Sequence, residues 1–250
     1  MDPILQTHGL SKAFKGFVAV AGVDLTVQRG TIHALIGPNG AGKTTVFNLL
    51  TKFLVPTSGR IMFNGTDITA ERPARVARRG IVRSFQISST FPHMTVLENV
   101  RVALQRKLRI SFQFWRSERA LQALDARAME LLASVDLAGH AGVAAVELPY
   151  GRKRALELAT TLALEPELML LDEPTQGMAH EDVGRVVELI KKVSAGRTVL
   201  MVEHNLSVVE DLCDTITVLQ RGQVLTEGDY QTVSNDPQVL EAYVGQPDDD

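Results

Sequence analysis

Gly37-Pro38-Asn39-Gly40-Ala41-Gly42-Lys43-Thr44-Thr45 decides how the rest of this 250-residue chain is read. Gly37, Gly42, Lys43 and Thr44 fill the phosphate-loop pattern G-x-x-x-x-G-K-[ST]. Chance would fill those four positions in roughly one chain of this size in a hundred. The run before it, TIHALI at 31–36, predicts a buried strand, and KTTVFNLLTKFL at 43–54 predicts a helix. Glycines let backbone N–H groups curl around phosphate oxygens, and the helix N-terminus adds favourable partial charge. In that setting Lys43 reaches the β- and γ-phosphates and the Thr44 hydroxyl ligates Mg²⁺.

Working outward, the bulk properties narrow the class. Hydrophobic residues make up 45% and charged residues 22%, the balance of an ordinary globular protein. The net charge of −3 gives no support for a nucleic-acid binder. No run of eighteen apolar residues occurs, and the start, MDPILQTHGL, lacks the build of a secretory signal. The single cysteine, Cys213, excludes an internal disulfide and a cysteine-cluster zinc site. The expectation is a cytoplasmic protein.

Upstream of the phosphate loop, Ile4–Leu10 and the alternating Val18, Val20, Val23, Leu25 and Val27 predict two strands, with Ser11–Phe17 as a loop between them. The aromatics in that loop, Phe14 and Phe17, are placed either to stack on a base or to pack the loop. Downstream, a strand is predicted at Arg60–Asn64, a short helix at Pro73–Arg79 and a strand at Ile81–Gln86. Thr95-Val96-Leu97-Glu98 is a capping box opening a helix that runs to about Leu108. Residues 101–119 hold six basic groups against one acid, with Phe112, Phe114 and Trp115 among them. The stretch reads either as a solvated helix face or as a surface for anionic lipid headgroups or a membrane partner.

Farther on, Leu148-Pro149-Tyr150-Gly151 precedes a helix predicted at Arg152–Leu164. Leu168–Glu173 (LMLLDE) predicts a buried parallel strand with two acids at its C-terminal end, where open α/β sheets place ligands. One acid there can hold hydrated Mg²⁺ while its neighbour orients and deprotonates an attacking water. A helix follows at Glu181–Val193, then a buried strand, Thr198–Val202, ending in Glu203-His204. Asp214–Thr226 reads as a hairpin turning at Arg221-Gly222, Val239–Val244 as a terminal helix, and 245–250 as a loose acidic tail.

The order of these landmarks resembles the ATP-binding subunit of ABC transporters over nearly the whole chain. Tyr150-Gly151, Glu203-His204 and Glu241-Ala242-Tyr243-Val244-Gly245 are similar to the ATPases of branched-chain amino-acid importers. The resemblance implies an α/β phosphate-loop core with an N-terminal antiparallel β portion and an inserted helical subdomain. Residues 1–86 and 156–250 would form the core lobe, and 87–155 the helical subdomain that docks on a permease. It implies ATP and Mg²⁺ held by Gly37–Thr45, with Phe14 stacking on adenine. Gln86 would sense Mg²⁺ and the attacking water, Asp172 would hold Mg²⁺ through water, Glu173 would be the general base, and His204 would contact the γ-phosphate. Leu148, Gly151 and Arg152 would cover ATP bound to a second ATPase subunit, placing the protein peripherally on the cytoplasmic face of a membrane.

Two positions depart from the usual pattern. The signature L-S-G-G-Q is here Leu148-Pro149-Tyr150-Gly151-Arg152, and Ala179 stands where an Asp or Asn is usual in the loop after Pro174-Thr175. The resemblance therefore leaves open a regulatory, weakly hydrolysing subunit beside an active ATPase. A soluble non-transport ABC ATPase is the other alternative, although no coiled coil, zinc cysteines or second cassette is visible.

Overall fold

Two twelve-residue strands, β1 (Pro3–Phe14) and β2 (Phe17–Gln28), open the chain as an antiparallel hairpin. The predicted loop at 11–17 shrinks to a turn at Lys15 and Gly16, both at positive φ, because β1 continues through register shifts as far as Phe14. Bulges of this kind interrupt the two-residue alternation on which strand prediction rests. With β4 (Ser58–Phe63) and β5 (Thr66–Asp67) the hairpin forms a sheet in the order β2-β1-β4-β5.

This computed structural model describes residues 2–84, 90–108 and 123–244. Gln86 and residues 109–119 of the basic, aromatic stretch lie outside the described residues. The second sheet has the order β10-β9-β3-β8-β7-β6. Its parallel centre is β3 (Ile32–Ile36), flanked by β8 (Thr198–Val202) and β9 (Thr215–Gln220), with β7 (Leu168–Asp172) beside β8. β10 (Gln223–Gly228) returns antiparallel to β9 around Arg221-Gly222, as predicted, and β6 (Ile81–Ser84) closes the other edge. The central strands are apolar on both faces, as a covered parallel sheet requires. Leu35, Phe47, Leu49, Leu170, Leu200 and Val202 share one buried cluster with Leu5, Leu25, Ile61 and Phe63 of the antiparallel sheet. Each such side chain contributes roughly 1.5–3 kcal/mol by leaving water.

Helix α1 (Lys43–Leu50) follows the phosphate loop and stops four residues short of the prediction. Thr51 caps it, and Lys52 turns the backbone to φ 64°. α2 (Pro73–Arg78) carries its proline in the first turn. α3 (Val96–Leu108) has the predicted capping box: the Thr95 N–H and hydroxyl both donate to Glu98 Oε2, and the Glu98 N–H donates back to Thr95 Oγ1. Those bonds hold the Glu98 carboxyl below its usual pKa. α4 (Asp125–Ser134), α5 (Tyr150–Ala163) and α6 (His180–Ser194) complete a helical group. α7 (Leu206–Leu212), α8 (Tyr230–Ser234) and α9 (Pro237–Val244) end the described chain.

Two compact units result. One comprises Met1–Ile81, Glu167–Glu173 and Gly196–Asp250; the other comprises Val82–Pro166 and Pro174–Ala195. This division differs from the expected boundaries at 86/87 and 155/156. A boundary at 155/156 would cut α5 through its hydrogen-bonded middle, so the whole helix belongs with α3, α4 and α6. Arg101 also proves to be spoken for: its guanidinium pairs with both oxygens of Asp125 at 2.5 and 2.6 Å.

Candidate functional site

In the first unit the C-terminal ends of β3, β8 and β7 lie side by side, since β3 pairs with β8 and β8 with β7. From β3 the chain passes directly into the phosphate loop. Gly37 adopts φ 145°, and a Cβ there would stand 2.1 Å from the Leu219 carbonyl oxygen. Gly42, at φ 104°, leaves only 2.7 Å between a Cβ and the Ala19 oxygen. Both positions exclude any side chain. Gly42 is also the N-cap of α1 and offers no side-chain cap, so the first N–H groups of the helix remain open to an anion.

Lys43 is buried, and its Nζ donates to the carbonyls of Gly37 (2.6 Å) and Pro38 (3.0 Å). Burial lowers its pKa, and the negative charge of Glu173 opposes that shift. The loop lysine and the expected base therefore share one electrostatic site. Thr44 is exposed at the helix start, with its hydroxyl available to a ligand. Pro38, Asn39, Gly40 and Ala41 form the turn of the loop, and Thr45 follows on α1.

Asp172 ends β7, paired with Val202 of β8. Glu173 next to it has φ 45°, rare for a residue with a side chain, and its N–H donates to the Val202 carbonyl at 2.9 Å. That strained turn is costly and persists only where the surroundings enforce it, as at catalytic positions. His204, two residues past Val202, is exposed at the end of the neighbouring strand. Its backbone N–H and that of Asn205 donate to the fully buried carboxylate of Glu203. Glu203 thus shapes the turn that presents His204. The dipeptide was visible in the sequence, but Glu203's part in the turn required coordinates.

Phe14 lies at the tip of the β1–β2 hairpin, 41% exposed, with the Lys12 ammonium 5.1 Å from its ring centre. The same hairpin brings the Ala19 carbonyl against both Gly42 and Gly222. An exposed aromatic is therefore carried on an element that packs directly on the phosphate loop. Phe17 is more exposed still, at 66%.

The groups fit a nucleotide with its metal. Among the described residues no three His, Cys, Asp or Glu side chains cluster as a metal cage. A Mg²⁺ bound mainly through phosphates and water needs only one or two protein oxygens, a requirement that Thr44 and Asp172 would meet.

The second unit carries the other expected residues. Leu148 is buried, and Pro149 is the N-cap of α5, which starts at Tyr150, two residues earlier than predicted. Proline brings no side-chain oxygen, so this helix start also lacks a side-chain cap. The Tyr150 hydroxyl donates to the Gln176 carbonyl at 2.9 Å, joining the signature to the loop after Glu173. Gly151 and Arg152 line an open cleft of about 790 Å³ together with Pro149, Asp182 and Arg185. Three residues beyond Gly151, Arg154 and Glu157 form a buried ion pair that the sequence reading missed. An Arg and a Glu three apart on a helix are a common surface motif, so nothing marked this pair as internal.

Comparison with known proteins accounts for this arrangement. Residues 20–176 match the ABC transporter family, and residues 223–249 match the family described as branched-chain amino acid ATP-binding cassette transporter. The chain is 38% identical to the high-affinity branched-chain amino acid transport ATP-binding protein BraF of Pseudomonas aeruginosa, with 98% of each chain covered. It is 37% identical to LivG of Escherichia coli, which bears the same description, over 98% of this chain and 99% of LivG. Crystal structures of an ABC transporter's ATP-binding cassette superpose with TM-scores of 0.84 (nucleotide-free) and 0.86 (ADP conformation) at 31% identity, covering 98% of this chain and all of theirs. A family match over residues 20–176 and these identities over nearly the full length establish that the chain belongs to the ABC transporter family of ATP-binding cassettes.

Proposed function

We propose that this ATPase powers an ABC importer for branched-chain or related amino acids, bound peripherally to permease subunits at the cytoplasmic face of a membrane. The observation that carries the reading is the similarity to BraF and LivG along the full chain, reinforced by the separate match at residues 223–249. In agreement with a peripheral role, no helix among the described residues is long and apolar enough to cross a membrane.

The chemistry assigned to the site is in-line attack of water on the γ-phosphate of ATP. Lys43 and the open N–H groups at the start of α1 hold the phosphates. Glu173 takes the proton from the attacking water, and His204 contacts the γ-phosphate from the adjacent strand end. Thr44 and Asp172 would hold Mg²⁺, which supplies charge neutralisation on the phosphate oxygens. Phe14 would stack on the adenine. Gln86 would sense Mg²⁺ and the attacking water, while Leu148, Gly151 and Arg152 face ATP on a second ATPase subunit.

The altered surface favours a different chain as that second subunit. This chain's phosphate loop, Glu173 and His204 keep the usual pattern, whereas Pro149, Tyr150 and Ala179, which face the partner, do not. Copurification of the intact membrane complex, with its subunits identified and ATPase measured with and without permease, tests the proposal. Recovery with permease subunits and one further ATPase is the expected result. Recovery of this chain only with itself would reject the unequal pair, and permease-independent full activity would reject the transport role.

A further inference from the structure

The C-terminal helix α9 lies against the phosphate loop, and nothing in the chemistry above uses it. Gln238, Glu241 and Ala242 on α9 face Pro38–Ala41 across an open cleft of about 560 Å³. The next residue, Tyr243, lines a small apolar cavity of about 100 Å³ with Ile36, the last residue before Gly37. Its ring is thus seated beside the strand-to-loop junction.

The Tyr243 hydroxyl oxygen is shut off from water, and among the described residues it has no partner of hydrogen-bond geometry. A buried hydroxyl without a partner is unfavourable. One backbone group does act on it: the N–H of Gly37 pulls the phenol's pKa down against burial, which pushes it up to about 12. Gly37 is also the residue whose carbonyl accepts from Lys43 at 2.6 Å and whose Cα is pressed on the Leu219 carbonyl. Phosphate oxygens compete for that same ammonium, so nucleotide binding redistributes the forces on the Gly37 peptide.

We propose that Tyr243 is a positioning residue for the phosphate loop, its hydroxyl completing a hydrogen bond with the Gly37 N–H when the loop closes on ATP. The C-terminal helix then contributes to nucleotide affinity without touching nucleotide.

This assignment makes stability and affinity move in opposite directions, which a merely structural tyrosine would not do. Tyr243→Phe keeps the ring and removes only the oxygen. In the full-length chain, calorimetric titration with MgATP should show about 3- to 10-fold weaker binding, the range expected for one hydrogen bond. The nucleotide-free melting temperature should stay equal to wild type or rise. Affinity within twofold of wild type, or a melting temperature that falls together with affinity, overturns the assignment. The inference rests on the phosphate loop binding ATP, and Lys43→Ala in the same titration separates the two. If Lys43→Ala leaves affinity unchanged, the loop reading fails and the Tyr243 proposal with it. If Lys43→Ala weakens binding and Tyr243→Phe does not, only the role of Tyr243 is lost.

Discussion

The phosphate loop and the signature turn both begin a helix without a side-chain cap, yet they are built on different principles. At Gly37 and Gly42 the backbone is pressed on neighbouring carbonyls, so no side chain fits and the pattern cannot drift. At Leu148–Arg152 the turn is presented on a surface. Pro149 still starts the helix, and Tyr150 replaces a small residue by reaching out to the Gln176 carbonyl. A site fixed by close backbone approach retains its sequence, while one held by side chains can be rebuilt.

Glu173→Gln removes the proposed base, beside the phosphate loop. Turnover should fall by about 10²–10⁴, roughly 3–5 kcal/mol of barrier, with ATP binding retained. Steady-state hydrolysis and a binding titration on the same preparation check this. Near wild-type turnover would mean that the strained turn at φ 45° serves something other than catalysis.

The glycines offer a direct comparison. Gly37→Ala forces a Cβ to 2.1 Å from the Leu219 oxygen at positive φ, and should cost about 3 kcal/mol or more in urea unfolding. Gly151→Ala meets nothing closer than Asp182 at 3.7 Å and has ordinary helical geometry, so stability should change by less than about 0.5 kcal/mol. Equal costs at the two positions would break the distinction between the halves.

How much of this was legible follows from the same contrast. The loop, the acidic pair and the Thr95–Glu98 box announce themselves because their chemistry needs fixed residue types at fixed spacing. The extension of β1 to Phe14 was hidden by bulges, and the early end of α1 by a positive φ at Lys52, which no propensity anticipates. Helices α7 and α8 escaped notice, although their caps, Asn205 and Asp229, stood in the sequence and do accept backbone N–H bonds. The burial of Arg154 and Glu157, and the seat of Tyr243 beside Ile36, depend on what distant elements place around them.

That buried pair makes the signature half sensitive to pH. Arg154 Nη1 donates to Glu157 Oε2 at 2.5 Å, and both residues are almost fully enclosed. Burial raises the Glu157 carboxyl to about 7, more than Arg154 and Ser84 draw it down. A carboxyl with a folded pKa above its unfolded value favours the fold at low pH. That contribution is complete below about pH 4.5 and lost as pH rises through about 7. The displacement corresponds to about 3 kcal/mol. Between pH 5 and 8, wild type should lose on the order of 2 kcal/mol relative to Glu157→Gln in paired unfolding curves. A gap independent of pH would show that Arg154 keeps the carboxylate ionised throughout.

The smallest effect concerns Ala179, the N-cap of α6. Its φ of −65° and ψ of 148° are those of an ordinary cap, and its carbonyl already accepts from the Asp182 N–H at 2.9 Å. What it lacks is a side-chain acceptor for the first turn, where Glu181 and Asp182 supply only favourable charge. Ala179→Asn adds that acceptor without altering the backbone. It should stabilise the chain by about 1 kcal/mol, a rise of about 2–4 °C in melting temperature at this size. A lower melting temperature would mean that the loop geometry rejects a cap. The variant also sharpens the contrast between the halves, because position 179 belongs to the surface proposed above to meet a second subunit. If turnover of the assembled complex rises along with stability, the altered surface limits the partner's site. If stability rises alone, the side chain at 179 acts only on its own helix, and the inequality of the two ATP sites rests on Pro149 and Tyr150.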